Sequence, residues 1–200
     1  MSQVHVGWTE SFLGDVAKFT QGKQIGLNDQ SRVLRKGLVR FLRIVDYTQN
    51  SDDVRFVKDP GTRYQVSEED IVMVRYGRPG LIGRGHKGVI ANNLFKISIE
   101  IEGLSKDYLA LFLTQKPIQD FLLTRGAEAR RALTFSHLKN LLICYPPLQE
   151  QVRIVERLNL LQSKAKYLED ICQKKISALK EFRLSILERA FAGNLDLNVD

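Results

Sequence analysis

Between Leu148 and Phe191 the chain contains neither glycine nor proline. A run this long without either residue predicts one helix of about 40 residues, about 60 Å long at ~1.5 Å per residue. Within it, Ile154, Leu158, Leu161, Ala165, Leu168, Cys172, Lys175, Leu179, Phe182 and Ile186 recur at alternating spacings of four and three. Only Lys175 is not apolar, so the pattern is a coiled-coil seam. Val155, Ile171, Ile176, Leu187 and Ala190 widen the stripe, as a register shift midway along the helix would. A helix so apolar must cover its stripe, and its length exceeds the diameter of a globule of about 150 residues. It either folds back on its own domain or pairs with another helix, from a second copy or a different subunit. Pairing is the expectation adopted, with the nine apolar seam residues Ile154, Leu158, Leu161, Ala165, Leu168, Cys172, Leu179, Phe182 and Ile186 as the dimerisation surface.

Tyr145-Pro146-Pro147 separates this helix from what precedes it, because neither proline can donate to a helix or sheet ladder. The earlier residues carry a different period. Phe95, Ile97, Ile99 and Ile101 alternate with Lys96, Ser98, Glu100 and Glu102, which predicts a strand with one buried face. Ile71–Tyr76 and Val39–Val45 read as two further strands. Ser105 with Asp107 predicts a helix cap before Tyr108–Thr114, and Pro117 starts a second short helix that Gly126 stops. The expected fold is therefore α+β. A globular domain spans residues 1–147, a coiled-coil spacer and dimerisation helix residues 148–192, and a tail residues 193–200.

Charge narrows the partners. The chain has 30 Lys+Arg against 23 Asp+Glu, a net +7, and most of the excess lies in the first 150 residues. Arg32–Val45 and Arg75–Ile99 each hold five cations and no acid. Two such windows in one domain point to a phosphate-facing surface. With 44% hydrophobic and 26% charged residues the composition is globular, which excludes disordered and low-complexity architectures. Two cysteines in apolar segments, no basic leader and no long apolar run predict a reduced, cytoplasmic protein without a membrane association.

Gly77–Gly88 joins two predicted strands and contains five glycines with Arg78, Arg84, His86 and Lys87. Glycines permit close backbone approach, and the cations can take phosphates or the O6/N7 edge of guanine. Asn92 and Asn93 follow, with side chains suited to adenine N6/N7. The candidate DNA-binding set is completed by Lys23 and Gln24 after Gly22, and by Arg43, Tyr47 and Gln49 after the basic strand. Arg75 and Tyr76 stand before the glycine-rich loop, and Arg125, Arg130 and Arg131 in a later glycine-containing segment. Residue types alone leave open which of these face bases and which face phosphates.

Catalytic patterns fail one by one. His5, His86 and His137 are scattered and distant from both cysteines, so no metal-ligand spacing exists. No acid has a lysine two residues later, as a nuclease pair would. Gly83-Arg84-Gly85-His86-Lys87-Gly88 matches a dinucleotide fingerprint literally, but a strand pattern follows it where a helix is required. Tyr145-Pro146-Pro147-Leu148 lacks the Asn or Asp that an amino-methyltransferase needs at its first position. A non-catalytic chain, without metal or cofactor, is expected.

The order of these features resembles the specificity (S) subunits of type I restriction–modification systems. The matching residues are Trp8, Leu13-Gly14-Asp15-Val16 and Gln21-Gly22, then Arg43-Ile44-Val45-Asp46-Tyr47, Asp70–Gly77, Asn93-Leu94 and Leu133–Leu138. The most specific are Pro146-Pro147-Leu148-Gln149-Glu150-Gln151 with Ile154-Val155, and Ser185–Leu195. The resemblance implies a target-recognition domain that reads double-stranded DNA and a helix that spaces it from a second such domain. It also implies modification (methyltransferase) partners using S-adenosylmethionine and, in the nuclease form, restriction subunits. This chain holds one recognition domain and one spacer helix where a full-length S subunit carries two of each. It is similar to a half-length form that a homodimer would complete. A stand-alone dimeric DNA-binding regulator, and a coiled-coil scaffold that binds no nucleic acid, are the alternative readings.

Overall fold

In the computed structural model, which describes residues 7–49, 52–127 and 133–193 (side chains of 125–127 excepted), the alternation of apolar residues places strands as expected, and short helices punctuate them. In chain order the elements are β1 (Thr9–Phe12), α1 (Leu13–Val16), β2 (Ala17–Gln21), β3 (Leu38–Leu42), α2 (Ile44–Thr48), β4 (Arg55–Lys58), β5 (Gln65–Val66) and β6 (Ile71–Val74). They continue with β7 (Ile82–Gly83), β8 (Gly88–Ile90), β9 (Leu94–Ile99), α3 (Lys106–Leu113), α4 (Lys116–Ala127), α5 (Phe135–Lys139), β10 (Leu142–Tyr145) and α6 (Leu148–Phe191). Short 3-10 turns occupy Leu27–Asp29 and Thr62–Tyr64.

The described strands form two four-stranded sheets, β2-β9-β6-β7 and β4-β3-β8-β5, and a ribbon of β1 with β10. Every residue of β6 is buried because both faces of this strand are covered. Ile71 and Met73 join Phe95, Ile97 and Phe19 in the larger core, against Leu109 and Leu113 of α3, Leu122 of α4 and Leu138 of α5. Val72, Val74 and Leu94 point the other way, onto Leu42, Val66 and Ile90 of the second sheet. Period two thus sends alternate residues into two cores. A third cluster, Phe41, Val57, Val89 and Ala91, covers the far side of the second sheet. The architecture is α+β, as expected.

Several boundaries differ from the sequence reading: the strand expected over Ile71–Tyr76 ends at Val74, and the helix expected over Tyr108–Thr114 runs Lys106–Leu113. Val39–Val45 was expected to be one strand, yet it ends at Leu42 and Ile44–Thr48 turns into α2. The Asp46 carboxylate accepts the Arg43 N–H at 2.8 Å, and this capping box outweighs the β-branched Ile-Val pair. α4 ends one residue past Gly126, at Ala127.

The chain divides into two compact units, one ending at Val155 and the other beginning at Glu156. α6 starts at Leu148, directly after the prolines, but its first turns belong to the globular unit. Ile154 and Val155 pack against the large core. Gln151 is the one fully buried polar residue among the described residues. Its Oε1 accepts the Ser105 N–H at 2.8 Å, and its Nε2 donates to the Gly103 and Pro146 carbonyls at 2.7 Å each. In the second unit every described residue is exposed except the half-buried Ile171.

Candidate nucleic-acid interface

α2 and the loop around β7 meet because two residues fit one another. The Tyr47 ring lies against Gly83, where a Cβ would stand 2.2 Å from Cδ1 of the ring. His86 approaches the same ring edge-on, with centroids 5.1 Å apart. Its Nε2 donates to the Asp46 carbonyl at 2.7 Å. Between these parts opens a cleft of about 470 Å³ lined by Asp46, Tyr47, Thr48, Gln49, Ile82, Gly83, Arg84 and His86. Four residues of the sequence-derived set, Tyr47, Gln49, Arg84 and His86, are thereby brought to one place. Burial and the Asp46 charge push the Tyr47 phenol far above its usual range, so it stays a neutral donor. Its hydroxyl and Arg84 Nε are buried with no hydrogen-bond partner among the described residues.

The glycines of Gly77–Gly88 do a second job. Gly80 has φ +90° and seats against Leu122, while a Cβ at Gly88 would meet the Arg40 carbonyl at 2.5 Å. Close approach, expected toward a ligand, is at these points between parts of the protein itself.

Folding also answers the two acid-free windows. Asp46 and Asp53 come from outside the first window's basic cluster or its edge to pair with Arg40, Arg43 and Arg32. The Arg55 and Arg43 guanidiniums beside Asp53 hold its carboxyl below the usual range. In the second window Arg84 pairs with Asp107 and Lys96 with Asp70. Arg75 donates to the Leu133 carbonyl at 3.2 Å and lies over Phe95. Arg43 and Arg75 therefore have structural work within the fold. Tyr76, Arg78, Lys87 and Gln49 are exposed, and no ion pair engages Arg78 or Lys87 among the described residues.

A second cluster forms where β8 leads into β9. Asn92 Nδ2 donates to Gln24 Oε1, and Gln21 Nε2 donates to the Asn92 carbonyl. Lys23 bridges to Ala91 and sets its ammonium 5.9 Å from the Tyr64 ring centroid. Asn93 Oδ1 is buried without a partner among the described residues. Beside this cluster runs a groove of about 570 Å³ whose lining includes Lys18, Thr20, Thr62, Arg63, Lys96 and Ser98. Of these, none was in the sequence-derived set. Lys18 and Thr20 occupy alternate positions of β2, a signal readable from the sequence, whereas Thr62 and Arg63 reach the groove only through the tertiary fold. Arg125, Arg130 and Arg131 lie outside the described side chains.

Among the described residues no group of His, Cys, Asp or Glu is placed to hold a metal ion. In the second unit Leu158, Leu161, Leu168, Leu179, Phe182 and Ile186 of the expected seam are each at least 40% exposed, so nothing in that unit covers them.

Residues 5–181 match the family model described as the type I restriction modification DNA specificity domain. The chain belongs to that family. Among similar curated specificity subunits are those of the type I restriction enzymes EcoBI from Escherichia coli, 24% identical, and StySPI from Salmonella potsdam, 25% identical. The alignments cover 94% and 95% of this chain but 42% and 44% of the relatives, so this chain spans less than half their length. Its fold matches the HsdS subunit from Thermoanaerobacter tengcongensis with a TM-score of 0.72 at 20% identity, over 97% of this chain and 47% of that one. A structure from work on complex assembly and conformational transition of the type I R-M system gives 0.79, also at 20% identity, over 97% and 48%. Among the described residues no helix is long and apolar enough to cross a membrane.

Proposed function

We propose that this chain is the non-catalytic sequence reader of a type I restriction–modification complex, taking one DNA half-site and pairing with a second copy through α6. The observation that carries this reading is the uncovered apolar stripe of the second unit in a chain whose family match runs from the globular unit along that helix. A stripe of leucines and a phenylalanine in water is stable only when covered, and a two-fold pair of identical helices covers it symmetrically. Two identical readers related by a two-fold axis face a DNA site made of inverted half-sites with an unread spacer.

The cleft between Tyr47, Gln49, Arg84 and His86 supports base reading, because it offers donors and acceptors without a full set of internal partners. Arg78 and Lys87, exposed and unpaired by acids among the described residues, suit phosphates. Methyl transfer belongs in this reading to a partner methyltransferase using S-adenosylmethionine, with restriction subunits joining in the nuclease form, in the cytoplasm.

The test is sequencing of DNA from cells that express this chain with its methyltransferase. A methylated bipartite inverted repeat is expected, and removal of one heptad from α6 should change the spacer and leave the half-site letters alone. An asymmetric motif, or letters that change with helix length, overturns the reading.

A further inference from the structure

The groove beside Tyr64 shares no lining residue with the cleft at Tyr47. One wall is the outer face of the β2–β9 pair, where Lys18 stands opposite Ser98 and Thr20 opposite Lys96. The inner face of the same strands is core, through Ala17, Phe19, Phe95 and Ile97, so the polar set is held on a rigid sheet. The other wall is the 3-10 turn carrying Thr62 and Arg63. Arg63 lies with its guanidinium 5.9 Å from the Tyr64 ring centroid, and Lys23 sets its ammonium at the same distance from the same ring.

The charges do not cancel locally. Lys96 is paired with Asp70 and donates to the Gln65 carbonyl, and Glu100 lines one part of the groove. Lys18, Lys23 and Arg63 are exposed and have no acidic partner among the described residues. Two cations gathered around one aromatic ring, with a third lining a groove edged by the hydroxyls of Thr20, Thr62 and Ser98, make a surface that attracts an anion. The segment linking groove to cleft is short: Lys96 reaches the Gln65 carbonyl, and Arg84 reaches that of Glu69.

We infer that this groove holds the sugar–phosphate backbone of the DNA, with Lys18, Lys23 and Arg63 contacting successive phosphodiesters while bases are read elsewhere. The inference rests on the DNA-reading function proposed above. An open groove lined by cations and hydroxyls on a fixed sheet matches a repeating anion.

The experiment uses the full chain with Lys18→Gln, Arg63→Gln and the double variant, and fluorescence anisotropy on a cognate and an unrelated duplex across a salt series. Because both residues are exposed, thermal melts should match the parent. The double variant is expected to bind both duplexes about tenfold more weakly, with the salt slope smaller by about 2. Lys18→Arg should bind as the parent does. Unchanged affinity in the double variant overturns the groove assignment alone, as does a loss confined to the cognate duplex. A parent chain that binds neither duplex at low salt overturns the DNA-reading function with it.

Discussion

Gln151 shows how one residue can join two stretches of a chain. Its amide satisfies the Ser105 N–H and the Gly103 and Pro146 carbonyls, three backbone groups that have turned away from regular ladders. Replacement by alanine strands them in the interior, and Gln151→Ala should cost about 3 kcal/mol of stability, lowering the melting temperature of the globular unit by roughly 9 °C. Gln149→Ala, two positions earlier and exposed, should melt with the parent; equal melting of both variants would deny Gln151 this role. Asp70 is a second such point. Burial alone would raise its pKa, but the Ser67 N–H and the Lys106 and Lys96 ammoniums outweigh it and bring the carboxyl down to about 2. A depressed folded-state pKa contributes stability that is complete above the unfolded value near 4 and fades as pH falls toward 2. Asp70→Asn should therefore be less stable at neutral pH by about 1 kcal/mol, allowing for solvent screening. Between pH 4 and 2 it should lose less stability than the parent, and denaturant titrations at both ends check the sign.

Among the elements, α6 has the most direct sequence signature and α2 the least. A glycine- and proline-free run with a heptad period leaves a helix as its one regular solution, so Leu148–Phe191 was readable without any contact. α2 was not, because Ile44-Val45 favours a strand and Arg43 is an unusual cap; the Asp46 carboxylate closing on the Arg43 N–H decides it. The stripe on α6 shows the limit of a periodic reading. Ile154 belongs to the seam by spacing, yet it packs on the globular core, whereas Leu168 and Phe182 are about 60% exposed. The proposed pairing rests on the latter, and Leu168→Glu with Phe182→Glu should reduce the particle from twice the 22.9 kDa chain mass to a single chain. Sedimentation equilibrium reads this directly. A parent chain that already sediments as one copy removes the basis for pairing.

At the scale of the molecule, what sequence determined by itself is whatever depends on neighbours along the chain. Period two at Leu94–Ile99, the prolines at 146 and 147, and the heptad spacing beyond them set the α+β class, the start of the long helix and the family likeness. Electrostatics did not follow the same route. Windows that hold no acid in sequence acquire Asp46, Asp53, Asp70 and Asp107 as partners once folded, because ion pairing depends on distance in space. The cleft is also a tertiary product: Tyr47 meets Gly83 and His86 across some forty residues only because α2 and the β7–β8 loop close on one another. The groove needs Lys18 and Arg63, separated by a comparable length of chain, to line the same space. Local steric preference can be read along a sequence, since each residue carries its own. A surface that recognises a ligand cannot, since its charge and shape are sums over residues that the fold alone makes adjacent.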